Sequence, residues 1–326
     1  MIGNPVGLAS EVWRSLSAVH LLPLAVGLVL HVLKVAAEAR SWHGVLTSSD
    51  ARPRSVPFRP VLGAFVSSIG ASTFLPGKLA DVARVGMLHR RIPSLSIATL
   101  SGTVVLETIV ESVFGVALIG WWVLSGGGTS RLGVGNPFAS PVGLVIAGVV
   151  VALVTVLAVR SRGDADSVAA RFAAGFRAVR SPMGFLRGVV AWKVVGWTLR
   201  SASIAAFLMA FGLSAAPATV AAVIAAQSTA ALLPLLPGNA GTQQAAIGFA
   251  LVGVATATEA VAFGVGMQAA TIVADLAIGA AALPLVATGA GPVRRRLTAM
   301  RTGLAGFANG AGPGTGPAPS IEGAQQ

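Results

Sequence analysis

Apolar positions along this chain come in blocks, not in the strict alternation of half-buried strands. Leu95–Leu124, Pro141–Val159, Val189–Phe211 and Ala260–Thr288 are close to or above the length at issue, the roughly 20 residues a helix needs to cross hydrocarbon. A first span covers Ser17–Ala37 and runs on through His31 and Lys34 like an amphipathic membrane helix. Val61–Leu75 is apolar but short and ends at Pro76-Gly77. Ala216–Leu236 ends the same way at Pro237-Gly238, and a second short apolar piece, Ala245–Ala257, follows. The pattern predicts an all-α polytopic membrane protein.

Composition agrees. The 326 residues are 54% hydrophobic and 10% charged, against about 25% charged in soluble domains. The net charge of +12 is concentrated in loops between apolar blocks. In that setting it points to the positive-inside rule and to anionic headgroups, not to nucleic acid. Cysteine is absent, which excludes disulfide frameworks, thiolate metal sites and thiol nucleophiles. His20, His31, His43 and His89 show no metal-ligand spacing, and no cofactor is expected. No nucleophile elbow, P-loop or dinucleotide fingerprint occurs. An enzyme is therefore not expected. Leu21–Leu30 followed by Ala37-Glu38-Ala39 leaves a cleaved signal peptide as an alternative for the N-terminus.

Charge orders the topology. Loops 38–59 (Arg40, Arg52, Arg54, Arg59), 77–92 and 160–187 and the segment after 290 (Arg294–Arg296) are basic, which places them on the cytoplasmic side. Loop 125–140 and the turn at 212–217 are then external. Segments near 61–92 and 216–257 enter and return on one side each, in opposite orientations. The expected architecture is five full spans, an external N-terminus and two re-entrant segments in a pseudo-inverted repeat over residues 1–290, with a disordered Gly/Pro/Ala-rich cytoplasmic tail over 291–326. Within 160–187, Val168, Phe172, Phe176 and Val179 recur at helical spacing among arginines, as in a helix lying on the membrane.

The two re-entrant segments resemble each other: Phe74-Leu75-Pro76-Gly77-Lys78 and Leu235-Leu236-Pro237-Gly238-Asn239, about half the chain apart. Broken segments at corresponding places in two halves mark a transporter's central site. The freed backbone N–H groups need partners, and a helix N-terminus suits an anion. Lys78, Asp81 and Arg84 follow the first break at three-residue spacing, on one helix face. With Gly77, Gly238 and Asn239 they form a candidate site for a lipid phosphate. The alternative is an interfacial helix whose cations face headgroups. Glu107 and Glu111 stand i,i+4 in a span, where two carboxylates repel and are costly. They are read as part of an intramembrane polar path, or as a structural ion pair with Lys193 or Arg200. Asp275, alone near the middle of the last span, and Gln244 join that path; Gln227, Gln243, Gln244 and Gln268 also fit helix–helix hydrogen bonding.

These residues resemble a known family, the flippase-like transmembrane domain of lysylphosphatidylglycerol synthases and related envelope proteins (the MprF and AglD types). Its pattern is matched by Arg40-Ser41-Trp42, by Pro76-Gly77-Lys78-Leu79-Ala80-Asp81-Val82-Ala83-Arg84, by Glu107-Thr108-Ile109-Val110-Glu111 and by Pro237-Gly238-Asn239-Ala240-Gly241-Thr242-Gln243-Gln244, within residues 17–290. Thr108 stands where the family has arginine, Glu111 where it has aspartate, and Gln244 where glutamate is usual. The family often has one more N-terminal span, and its synthases carry a cytosolic aminoacyl-transferase domain that this sequence does not show. The resemblance implies lipid handling without lysyl transfer: a flippase, in a bacterial inner membrane, for a phospholipid or a polyprenyl-phosphate-linked intermediate. A non-catalytic scaffold for a membrane glycosyltransferase, or a secondary transporter of a small solute, is the alternative.

Overall fold

Glu38–Ser49, expected to open a basic loop, is helical. In this computed structural model, which describes residues 18–49, 56–75, 79–124, 168–231 and 241–287, the first helix α1 covers Leu21–Ser49. Its second half stays helical because Trp42, Val45 and Leu46 are buried in the protein core. Arg40, read from sequence as a loop cation, instead lies over the rings of Phe58 and Trp192. It also donates to His43 Nδ1 at 2.5 Å, and His43 Nε2 in turn meets the Val56 carbonyl at 2.6 Å.

The short apolar segment is α2, Phe58–Ser72, and the polar stretch after the break is α3, Leu79–Arg91. Next comes α4, Ile97–Leu124, started by the Ser96 hydroxyl accepting from the Thr99 N–H at 3.1 Å. The expected surface helix of the basic loop is broken into α5 (Val168–Ala174), a 3₁₀ turn (Arg177–Arg180) and α6 (Pro182–Phe185). Three of the four apolar positions face the protein, while Val168 is exposed. Phe176 is fully buried, and Phe172 and Val179 pack with it against Leu106 and Val110 of α4. A π-helical turn, Leu186–Val190, leads into α7, Ala191–Ala210. Helices α8 (Pro217–Ala231), α9 (Thr242–Ala250) and α10 (Ala257–Ala287) follow.

Helix α10 begins three residues earlier than the apolar block. Thr256 and Glu259 form a capping box there, with the Thr256 N–H donating to Glu259 Oε2 at 2.8 Å. Helices α1, α4 and α10 are long and apolar enough to cross a membrane, and α7, at 20 residues, is about 30 Å long. Leu22, Val26, Val29 and Leu33 of α1 and Val273 and Leu283 of α10 are exposed, as lipid-facing positions must be. The protein is an all-α, multi-pass membrane protein. The expected span 141–159, the tail and both Pro-Gly breaks lie outside the described residues.

The element order repeats: α1, α2, α3, α4 and then α7, α8, α9, α10, each a pair of short helices between long ones. Each set carries a core cluster shared at its edge with the other: Ala282 of α10 sits in the first, and Leu24 and Leu28 of α1 and Leu118 of α4 pack against the second. Trp42, Phe65, Leu88 and Leu100 center the first, and Phe207, Ile224, Ile247 and Phe263 the second. Helices α1 and α7 pack along each other and join the two, with the Ser203 hydroxyl donating to the Gly27 carbonyl at 2.8 Å.

Two glycine contacts set the close approaches. A Cβ on Gly44 of α1 would collide with the Gly188 carbonyl, and one on Gly102 of α4 with the Phe172 carbonyl. Both obstacles are backbone, so neither moves aside. Gly44→Val and Gly102→Val should each cost about 1–3 kcal/mol by overpacking. The check is the midpoint of heat-induced aggregation of detergent-solubilised protein, which should fall in both; Gly86→Ala, with open space around it, should leave it unchanged.

Candidate functional site

Arg84 lies on the inner face of α3 because α3 is amphipathic, with Ala80, Val85 and Leu88 turned to the core beside it. Its guanidinium is 4.5 Å from the Trp42 ring centroid and 4.9 Å from that of Phe65. It meets Asp81 Oδ1 at 3.2 Å and Glu107 Oε2 at 3.0 Å. The second contact is a charge contact and not an aligned hydrogen bond, since Glu107 Oε2 has no hydrogen-bond partner. Lys193 of α7 then bridges the two span carboxylates, 3.4 Å from Glu107 Oε1 and 2.8 Å from Glu111 Oε2. Arg200, two turns on, is 3.8 Å from Glu111 Oε1 and donates to Gln227 Oε1 at 3.0 Å.

Charges thus alternate along one line: Asp81, Arg84, Glu107, Lys193, Glu111, Arg200, ending on the amide of Gln227. Arg84 is 5% exposed, Glu107 6% and Lys193 3%, so water does not screen the center of the line. The i,i+4 repulsion of Glu107 and Glu111 is relieved by one ammonium between them. The line runs from α3, in the first pair of short helices, to α8, in the second.

Beside its α3 end is a cavity of about 240 Å³, lined by His31, Lys34 and Glu38 of α1, Ser68 and Ser72 of α2, Asp81 and Arg84 of α3, and Asp275 of α10. Helices α2 and α10 meet at glycines, so their backbones nearly touch: a Cβ on Gly70 would be 3.0 Å from the Asp275 carbonyl and 3.1 Å from Gly279 Cα. That crossing holds Asp275 at the cavity wall. Asp275 is not alone: His31 Nε2 lies 2.8 Å from its Oδ1. Lys34 and Glu38 pair at 3.3 Å.

The structure brings Asp81, Arg84, Glu107, Glu111 and Asp275 into one region. Gln244 is elsewhere. Its Oε1 accepts from the Gly241 N–H at 2.6 Å and its amide bonds Gln268, so it starts α9 and ties it to α10. Gly77, Lys78, Gly238 and Asn239 lie outside the described residues. Sequence reasoning missed Glu38, Ser68 and Ser72 and did not single out His31 and Lys34 as a site. The signal was present: His31, Lys34 and Glu38 recur at three- and four-residue spacing, so one face of an apolar span is polar.

The family model of the lysylphosphatidylglycerol synthase TM region matches residues 6–279. The chain belongs to this family. No curated protein and no solved structure matches it. Membership in a lysylphosphatidylglycerol synthase transmembrane-region family relates the chain to lipid handling and fits its contact with lipid and bilayer. The matched residues include every member of the charge line and the whole cavity lining.

Proposed function

We propose that the protein translocates a phosphate-bearing lipid headgroup, of a phospholipid or a polyprenyl-phosphate-linked envelope intermediate, across a bacterial plasma membrane without changing it chemically. The observation that carries this reading is the cavity, which Lys34 of the apolar span α1 and Arg84 of α3 line beside the first pair of short helices. The volume of about 240 Å³ lies below the roughly 300–1,000 Å³ of drug-sized sites, so it suits a headgroup whose acyl chains stay in the bilayer. Helices α2 and α3, with 15 and 13 residues, reach only about 20 Å each and do not span roughly 30 Å of hydrocarbon. A re-entrant pair fits those lengths, and α8 and α9, with 15 and 9 residues, would be its counterpart in an inverted repeat. Gly77, Lys78, Gly238 and Asn239, at the breaks, would add helix N-termini and one cation for the phosphate.

The test uses proteoliposomes with headgroup-labelled fluorescent phosphatidylglycerol and a membrane-impermeant quencher. Lys34→Gln removes a cavity cation that is outside the buried charge line. It should slow headgroup exposure about tenfold, the size of ~1.4 kcal/mol; an unchanged rate counts against the reading. The small volume of the cavity also favors a second reading, secondary transport of a small solute. Solute uptake by the same proteoliposomes, with no lipid movement, would select it. A scaffold for a membrane glycosyltransferase would show neither activity and would be seen as co-purification with the transferase.

A further inference from the structure

His31 and Asp275 sit well inside α1 and α10 and meet at the cavity wall at 2.8 Å, with side chains 15% and 19% exposed. The charged groups around them come from two helices. Lys34 and Glu38 of α1 pair with each other, and Asp81 and Arg84 of α3 pair with each other and with Glu107. Helix α2 contributes no charge to the lining, only Phe65, Ser68, Ile69 and Ser72. Once these pairs are set, Asp275 is the carboxylate in the cavity wall whose described ionic partner is a histidine. A carboxylate in a membrane span is costly unless paired. Histidine is the side chain whose charge changes near neutral pH. The pair joins α1 of the first half to the last helix of the second.

We propose that His31 and Asp275 form a proton-binding site that couples headgroup movement through the cavity to a proton gradient; this rests on the translocation reading above. One proton enters from cavity water onto the ring nitrogen that does not face Asp275, making imidazolium against carboxylate. It leaves to water by the same nitrogen. On uptake an O–H bond of hydronium breaks as the N–H bond forms, and on release the N–H bond breaks as water takes the proton. With the proton bound, the cavity wall gains one positive charge, and an anionic headgroup is held more tightly; with it lost, the headgroup is released.

Two measurements separate the site from the lipid reading. A pH jump from 8 to 6 over protein reconstituted on a solid-supported membrane, with no labelled lipid, should give a transient current from proton binding. His31→Gln keeps a donor toward Asp275 and protects the fold, and Asp275→Asn keeps the shape of the carboxyl. Both should abolish the transient, while circular dichroism shows wild-type helix content; persistence in either variant overturns the proton site. In proteoliposomes with labelled phosphatidylglycerol, an imposed pH gradient should change the exposure rate of wild type at least threefold. That difference should vanish in His31→Gln, whatever basal rate remains. A wild-type rate indifferent to the gradient overturns coupling and leaves translocation standing. No movement of the lipid under any gradient, with the transient current intact, sinks the lipid reading and keeps the site.

Discussion

Lys193→Met should be the most damaging single substitution in the described part of the protein. The ammonium is 3% exposed and holds Glu107 at 3.4 Å and Glu111 at 2.8 Å. Methionine fills much of the same volume, so packing is nearly kept and the charge is what is lost. Removing one partner of a buried pair leaves the other uncompensated and costs about 3–5 kcal/mol. Here two carboxylates lose their partner at once. Arg84 and Arg200 remain but contact only the outer ends, Glu107 Oε2 and Glu111 Oε1. The expected result is a large fall in the heat-aggregation midpoint and in membrane yield. Glu107→Gln and Glu111→Gln, added to Lys193→Met, should recover most of the loss, because amides carry no net charge to bury. If the triple variant is as unstable as the single one, the ion line is not what holds α4 to α7.

Arg84→Lys should fold and fail to translocate. Lysine keeps the positive charge near Asp81 and Glu107. It loses the planar group held between Trp42 and Phe65, 4.5 and 4.9 Å from the two ring centroids. Stacking on aromatic faces and a rigid fork of donors are properties of guanidinium that ammonium lacks. Arginine can face two carboxylates and still present N–H groups to the cavity; lysine, with a shorter reach and three donors, cannot do both. The expected result is a melting midpoint within a few degrees of wild type and headgroup exposure more than tenfold slower, a loss above ~1.4 kcal/mol. Arg84→Met, which strands Asp81 and Glu107, should behave like Lys193→Met and lose about 3–5 kcal/mol. Full activity in Arg84→Lys would mean that only charge matters at this position.

The long helices were legible because their apolar blocks exceed the membrane length and need no partner to be recognised. Helices α2 and α8 end at Ser72 and Ala231, a few residues before the paired Pro-Gly segments, which themselves lie outside the described residues. Helix ends were less legible. Charge made Glu38–Ser49 look like loop, yet Arg40 stacks on Phe58 and Trp192 and the segment stays helical. The Thr256-x-x-Glu259 capping box was written in the sequence and passed unread. Phe172, Phe176 and Val179 showed the right periodicity, but periodicity says that a face is buried, not against what: α4 took it, not the membrane.

For the site, sequence alone determined which groups had to find partners. Glu107, Glu111, Lys193, Arg200, Asp275 and His31 lie in spans where an unpaired charge is too costly to persist, and that follows from residue type and position. Which group meets which was decided only by tertiary structure. The partners come from helices far apart in the chain, such as His31 with Asp275 and Arg84 with Glu107. Their distances depend on where α1, α3, α4, α7 and α10 cross, down to the near contact of Gly70 with Gly279. Pairing over such separations is a property of packing, and no local spacing encodes it.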